Sequence, residues 1–134
     1  MVDAWLPLHR LDVAQTYLVA WDGAYPVGHA HVAWADTKLG VPEVQDLFVL
    51  PERRRRGVAT ELSRAAERLA AGRGHGRISL GFSVDNVPAR RLYKQLGYRD
   101  AGVPPERHLG TILIRGRPVK IDDTVIYLIK DLER

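Results

Sequence analysis

The sequence changes its hydrophobic period at a run of four arginines, and this change limits the folds that are open to the chain. Residues 43–50, EVQDLFVL, are mostly apolar toward their end, as in a buried central strand. After Arg53–Arg56 and Gly57, apolar residues return at the spacing of an amphipathic helix: Val58, Leu62, Ala65, Ala66 and Leu69. Residues 77–84, RISLGFSV, are another short apolar run. A strand, a helix and a second strand in succession predict a parallel pair joined by a right-handed crossover.

Strands are predicted on both sides of this central unit. Residues 16–23 and 25–36 are rich in β-branched and aromatic side chains and meet at an Asp-Gly pair, which is typical of a hairpin. Residues 111–132 predict two further strands around a Gly-Arg-Pro turn. A second helix follows Asp85 or Asn86 as its N-cap and ends at Gly97. The chain is therefore expected to form one domain, residues 1–134, with a mixed sheet of the α/β or α+β class.

The composition excludes several classes of site. Cysteine is absent from the 134 residues, which excludes disulfides, thiolate zinc sites and a cysteine nucleophile. The N-terminus lacks the features of a secretory signal, and no stretch has the ~18 apolar residues of a membrane span. His29 and His31 share a strand face, but nothing at matching spacing completes a metal site. We expect a cytoplasmic enzyme or binding module without a metal or a membrane partner.

The arginine run has two interpretations. The formal net charge of +4 favours an anionic partner without choosing one. Arg53–Arg56 alone are compatible with a nucleic-acid patch or with a solvated basic loop. Their place between a central strand and a helix favours a smaller anion, because the first N–H groups of a helix have no internal partner. Gly57 and Ala59 would let a diphosphate approach the backbone closely.

Two segments carry a resemblance to a known family. VLPERRRRGVA, residues 49–59, resembles the acetyl-CoA signature of the GNAT-type N-acetyltransferase superfamily through Arg54, Gly57 and Ala59. SVDNVPARRLYKQLGY, residues 83–98, resembles the second conserved block of that superfamily through Asn86, Ala89, Leu92, Tyr93, Gly97 and Tyr98. The resemblance covers roughly residues 17–103. It implies a mostly antiparallel mixed sheet with a central splayed parallel pair flanked by helices, here with the N-terminal strand and helices shortened or absent. Trp5, Leu6 and Leu8 are then candidates to cover the edge of the sheet.

The resemblance also implies a cosubstrate, acetyl-CoA, and the residues that would hold it. The strand backbone would pair with the pantetheine arm, the loop and first helical turn would bind the pyrophosphate, and Asn86 would hydrogen-bond the arm. Asn86 is equally explained as a plain helix cap. The implied cofactor-binding residues are Leu47, Phe48, Val49, Arg54, Arg55, Arg56, Gly57, Val58, Ala59, Thr60, Asn86, Ala89 and Tyr93.

Catalysis of amine acetylation requires two proton transfers. By the resemblance, Tyr93 would protonate or hydrogen-bond the leaving thiolate; the alternative is a core tyrosine with its hydroxyl satisfied. The amine must lose a proton, and Gln45 stands where some members have a glutamate. Alternation along the strand puts Glu43 on the face of Gln45 and Asp46 on the other. We expect Glu43 to act as base or water anchor, with Asp46 second, although either is also explained as a strand-end carboxylate.

Three functions follow from these patterns. The first is an acetyl-CoA-dependent N-acetyltransferase that acts on a small-molecule or peptide amine. The second is a non-catalytic acyl-CoA-binding sensor of the same fold, suggested by Gln45. The third is a nucleic-acid-binding domain, which is disfavoured because the sequence lacks an aromatic stacking platform. Members of the family often dimerise, so a homodimer through the C-terminal strands is open.

Overall fold

The computed structural model describes residues 2–5 and 15–132. Eight strands, two α-helices and a short 3₁₀ helix follow one another along these residues. In chain order they are β1 (Val2–Trp5), β2 (Gln15–Asp22), β3 (Tyr25–Ala33), β4 (Glu43–Val49), a 3₁₀ helix (Pro51–Arg53), α1 (Val58–Gly72), β5 (Arg77–Ser83), α2 (Val87–Gln95), β6 (Arg99–Asp100), β7 (Glu106–Ile114) and β8 (Arg117–Asp131).

The strands form one mixed sheet in the order β1-β2-β3-β4-β5-β8-β6, with β7 paired to β8. All neighbouring strands are antiparallel except β4 and β5. The predicted fold class is thereby confirmed, including the parallel pair at its centre. The N-terminal strand, expected to be shortened or absent, is present as β1, which pairs with β2 over four residues. Leu6 and Leu8, predicted to cover the sheet edge, lie outside the described residues.

The parallel pair is short because β4 leaves β5 after two residue pairs. Glu43 lies opposite Ser79, and Val44 lies opposite Leu80. Asp46 then has a φ of 52°, in the left-handed region. This backbone conformation belongs to a bulge, since β4 places two residues opposite one residue of β3 between the His31–Gln45 and His29–Phe48 pairs. The bulge explains why the two strands splay at this point.

The hydrophobic core lies between the sheet and α1. Leu18 and Val32 from the hairpin, Ile78 from β5, and Leu62 and Ala66 from α1 are all at most 1% exposed. The helix buries one face because its apolar residues fall every three to four positions. The core therefore fixes the N-terminus of α1 against the end of β4, where β3 and β4 lie beneath it.

The second hairpin differs in detail from the prediction. Its turn is Arg115-Gly116, with φ values of 50° and 76°, and Arg117 and Pro118 already belong to β8. A two-residue turn with both φ values positive matches the twist of paired strands, which a Gly-Arg-Pro turn would not. β7 also begins at Glu106, five residues before the predicted strand, and the short β6 was not predicted.

Candidate functional site

A cleft of about 900 Å³ opens where β4 and β5 diverge, beside the first turns of both helices. Its walls combine strand backbone, helix N-termini and one buried tyrosine. They include every residue predicted to bind the cofactor except Arg56: Leu47, Phe48, Val49, Arg54, Arg55, Gly57, Val58, Ala59, Thr60, Asn86, Ala89 and Tyr93. They also include residues that were not among the predicted site residues: Val44, Arg53, Leu80, Gly81, Phe82, Pro88 and Leu92.

The start of α1 presents uncapped N–H groups to this cleft. Gly57 is the N-cap, has a φ of 82° and makes no side-chain cap. Intrahelical bonding begins with the N–H of Glu61, which donates to the Gly57 carbonyl at 3.0 Å. The three preceding N–H groups, of residues 58–60, therefore have no helical partner, and the helix dipole adds about half a positive charge there. The arrangement suits an anion.

The arginine quartet divides its members among different partners. Arg53 forms an ion pair with Asp22, and its hydrogen bond holds the pKa of that carboxyl below its usual range. Arg54 braces the loop, since its Nε donates to the Val49 carbonyl at 3.1 Å. Arg55 lines the cleft and has a φ of 63°. Arg56 lines a second, smaller cavity of about 250 Å³ instead.

Asn86 begins α2 at the opposite wall of the cleft. Its Oδ1 accepts a hydrogen bond from the N–H of Ala89 at 3.1 Å, so Asn86 rather than Asp85 is the N-cap. Pro88 occupies the first turn, where its missing N–H costs nothing. The cap uses only the amide oxygen of Asn86, which leaves the amide nitrogen available to a ligand.

Tyr93 is a buried tyrosine at the inner end of the cleft. It is 5% exposed and packs edge-on against Tyr98, with ring centroids 5.5 Å apart. Burial raises the pKa of its phenol, and a hydrogen bond with Ser63 acts in the opposite direction. Tyr93 therefore keeps its proton at neutral pH. Ser63 is a residue that sequence reasoning missed, because nothing local marks the α1 position that faces α2.

The two carboxylates predicted on β4 occupy different environments. Asp46 lines the cleft, and its side chain is 76% exposed. Glu43 is 8% exposed and is not among the residues that line the cleft. Glu43 instead accepts a hydrogen bond from the amide nitrogen of Gln45.

The expected alternation of side chains fails at the bulge. Gln45 Oε1 lies 2.8 Å from His31 Nε2, and Asp46 Oδ2 lies 3.5 Å from His31 Nδ1. Adjacent residues of a regular strand point to opposite faces, but here both reach one imidazole. The prediction that Asp46 points away from the face of Gln45 was wrong for this reason, and His31 joins the site without having been a predicted site residue.

Two carboxylates, those of Glu43 and Glu106, act on the phenol of Tyr127. Burial raises the pKa of Tyr127, and the carboxylates of Glu106 and Glu43 raise it further. Lys38 forms an ion pair with Glu106 across the start of β7. The sheet around the base of β4 therefore carries more negative than positive charge among these four side chains.

The described part of the chain contains neither a metal-binding cluster of side chains nor a membrane-spanning helix. Among residues 2–5 and 15–132, no group of three or more His, Asp or Glu side chains could hold a metal ion. Neither described helix is long and apolar enough to span a bilayer.

Comparison with known proteins agrees with this geometry. Residues 2–98 match the model of the Acetyltransferase (GNAT) family. A mycothiol acetyltransferase of Clavibacter sepedonicus is 40% identical over 70 residues, which are 52% of this chain and 23% of that relative, so the chain spans about a quarter of its length.

Two solved structures share the fold. A Bacillus subtilis acetyltransferase in complex with CoA superposes with a TM-score of 0.74 at 14% identity, covering 98% of each chain. An aminoglycoside 6'-N-acetyltransferase complexed with coenzyme A gives a TM-score of 0.65 at 19% identity, covering 92% of this chain and 76% of that one. With the family match over most of the sequence and this shared fold, the chain belongs to the Acetyltransferase (GNAT) family.

Proposed function

We propose that the protein transfers the acetyl group of acetyl-CoA to a primary amine within a ternary complex. One observation carries the proposal: the uncapped N-terminus of α1 opens into the same cleft as the split between β4 and β5. The first feature suits a diphosphate and the second suits an extended, amide-containing arm. Coenzyme A joins these two groups in one molecule.

The residues that surround the cleft fit this ligand. The N–H groups of residues 58–60 and the guanidinium of Arg55 would bind the pyrophosphate. The backbone of Leu47, Phe48 and Val49 would hydrogen-bond the pantetheine arm, and the amide nitrogen of Asn86 would reach it from α2. Arg56 lines another cavity, so we assign it at most a long-range electrostatic contribution.

Tyr93 is the proposed general acid. Attack of the amine on the thioester forms a C–N bond and breaks the C–S bond, which leaves a thiolate. A thiol with an ordinary pKa near 8.5 is mostly protonated at neutral pH, so the departing sulfur would take up one proton. The buried phenol would donate a hydrogen bond or its proton to that sulfur, and the proton lost by the attacking nitrogen would restore the phenol. The raised pKa of Tyr93 ensures that the phenol is protonated throughout the neutral range.

The carboxylates of β4 are the proposed amine-facing groups. An amine near neutral pH is mostly an ammonium ion, which must lose a proton before it attacks. Asp46 lines the cleft, where it would attract the ammonium, whereas Glu43 is buried, does not line the cleft and contacts Gln45. We therefore propose Asp46 as the direct contact and Glu43 as its support, reversing the order favoured by the sequence.

A thiol-release assay with acetyl-CoA tests the proposal. The acceptor panel contains glucosamine, spermidine, kanamycin, an amino-acid amide and a peptide with a free N-terminal alanine, which together sample the classes of amine open to this chain. We expect release of free thiol and acetylated product for at least one amine. Absence of turnover with all of them would refute the transferase assignment.

A non-catalytic acyl-CoA sensor is the second candidate. It is favoured by the position of Glu43, which is buried and does not line the cleft. Calorimetric titration with CoA separates the two functions: a sensor binds CoA tightly without acetylating the panel. Failure to bind CoA at all would remove both candidates.

We also propose that the protein acts in the cytoplasm as a homodimer. Apolar side chains of β7 are exposed, including Leu109 at 67% and Leu113 at 73%, and a second copy would cover them. Sedimentation velocity tests the oligomeric state. We expect a dimer that dissociates when Leu109 and Leu113 are both replaced by threonine, and a monomeric native protein would contradict the assignment.

A further inference from the structure

His31 is the centre of a chain of polar contacts that runs from the buried side of β4 to the cleft. The chain begins at the carboxylate of Glu43, passes through the side-chain amide of Gln45 and the imidazole of His31, and ends at Asp46. Glu43 and His31 are 8% and 7% exposed, while the Asp46 side chain is 76% exposed. One end is therefore buried in the protein, and the other end is exposed to solvent in the cleft.

The order of donors and acceptors along this chain sets the imidazole tautomer. Gln45 donates from its amide nitrogen to the Glu43 carboxylate, so its amide oxygen faces His31. An amide oxygen only accepts, so the proton in the 2.8 Å contact belongs to Nε2 of His31. In the neutral ring the other nitrogen, Nδ1, then carries a lone pair, and it faces Asp46.

Among the described residues, the other neighbours of His31 do not supply a competing hydrogen-bond partner. From β2, the ring of Tyr17 packs against the imidazole with centroids 5.2 Å apart. From β4, the charged groups are Asp46, in direct contact, and Glu43, which acts through Gln45. On β3 itself, His29 is exposed and contacts Phe48. Both charged neighbours of the ring are anionic.

We propose that His31 is the group that takes up the acceptor's proton, behind Asp46, with Gln45 and Glu43 as positioning residues. The inference rests on the proposed acetyl transfer and extends it. An N–H bond of the ammonium breaks at Asp46, an N–H bond forms at Nδ1 of His31, and the ring becomes an imidazolium that is paired with the Asp46 carboxylate. After acetyl transfer the ring returns the proton to solvent, which restores the neutral tautomer.

The glutamine at position 45 acquires a role in this scheme. A glutamate there would lie beside the Glu43 carboxylate and would offer no donor to it. The amide nitrogen instead donates to one carboxylate oxygen of Glu43, and the amide oxygen orients His31. The base function is thereby moved from the strand position expected of the family to the imidazole on β3.

Long-range ¹H–¹⁵N NMR of the histidine rings tests the geometry independently of activity. We expect His31 in the uncomplexed protein to hold its proton on Nε2 when neutral, and to lose this preference in Gln45→Met, which keeps the side-chain length but removes the amide. A neutral ring with the proton on Nδ1, or a ring that holds both protons throughout pH 5–9, would overturn the proposal. His29→Asn serves to assign the neighbouring ring.

Kinetics test the proton transfer itself, using acetyl-CoA and the most active amine of the panel. His31→Asn should lower kcat/KM by about 10²-fold at pH 7, at the lower end of the range for acid–base groups. The deficit should shrink as the pH approaches the pKa of the amine, because the free amine no longer needs a base. His29→Asn, on the same strand, should remain within about twofold of the native protein.

The outcomes separate the inference from the function on which it rests. A constant deficit at all pH values would indicate a structural role for His31 and would overturn the inference while acetyl transfer stands. An undiminished rate for His31→Asn would also overturn the inference and would leave acetyl transfer standing. If no amine is acetylated, the proposed function fails together with the kinetic step, and the NMR tautomer still decides whether Gln45 positions the ring.

Discussion

Replacing Gly57 by aspartate and by asparagine isolates the charge at the proposed pyrophosphate site. Gly57 has a φ of 82°, a conformation that asparagine and aspartate tolerate better than other side chains. A Cβ built there meets no atom within 4 Å, so neither side chain is forced to displace a neighbour. The two variants therefore share the backbone cost, and they differ in one negative charge beside the cleft.

The magnitude follows from Coulomb's law. Two unit charges ~4 Å apart interact by about 4 kcal/mol at an effective dielectric constant of ~20. The cleft is open to solvent, so we take about half of this value, ~2 kcal/mol, for the repulsion between the introduced carboxylate and one phosphate. This energy corresponds to a Kd for CoA about 30-fold weaker in Gly57→Asp than in Gly57→Asn.

Isothermal titration with CoA measures this difference, and pantetheine is the control ligand because it lacks the pyrophosphate. We expect the 30-fold ratio for CoA at low salt, a smaller ratio at high salt, and no difference for pantetheine. The thermal midpoint of Gly57→Asp should equal or exceed that of Gly57→Asn, because a carboxylate interacts favourably with a helix N-terminus. CoA affinities within threefold of each other would refute the placement of the diphosphate at α1.

Three further predictions concern the tyrosines and one glycine. Tyr93→Phe should lower kcat by about 10- to 10²-fold without changing the Kd for CoA, as measured by thiol release and calorimetry; an unchanged kcat would exclude Tyr93 as the acid. Gly28→Ala places a Cβ 2.9 Å from the Phe48 carbonyl oxygen and should cost about 1–3 kcal/mol in the free energy of unfolding by urea, whereas Gly110→Ala, with no atom within 4 Å, should cost less than about 0.5 kcal/mol. Burial and the adjacent Glu67 carboxylate raise the pKa of Tyr98 above its unfolded value near 10, so the unfolded state releases a proton that the folded state retains, and Tyr98 should contribute a fall in stability of about 1.4 kcal/mol per pH unit above pH ~10. Tyr98→Phe should make the pH slope of stability shallower by about that amount, while the raised pKa values of Tyr93 and Tyr127 leave a residual slope; a slope equal to that of the native protein would contradict the assignment.

Local signals explain how much of the fold could be predicted. The hairpin of β2 and β3 follows from an Asp-Gly pair between β-branched runs, and α1 begins at Val58 because Gly57 supplies the left-handed residue before it. Asn86 caps α2 because its side chain reaches an N–H three residues later. Each of these features depends on residues within a few positions of one another, so a single sequence contains the information.

The site residues that the sequence did not predict depend on contacts between distant segments of the chain. His31 meets Gln45 and Asp46 only because β3 and β4 pair in one register and β4 bulges at Asp46. A shift by one residue would move these side chains to other faces. Ser63 meets Tyr93 only when α1 and α2 are both in place. The charge pattern and the hydrophobic periodicity of the sequence do not predict such long-range contacts.

The bulge at Asp46 links the two halves of the proposed chemistry. Its left-handed residue ends the pairing of β4 with β5, which opens the cleft, and it also turns a carboxylate toward His31. A non-glycine residue in this conformation costs about 1–3 kcal/mol, and aspartate is among the residues that tolerate it best. The same backbone feature therefore provides room for an extended ligand and sets the proposed proton acceptor beside that room. A strand with regular alternation would provide neither the space between β4 and β5 nor the contact between Asp46 and His31. We therefore regard the bulge, rather than any one side chain, as the feature on which the site is built.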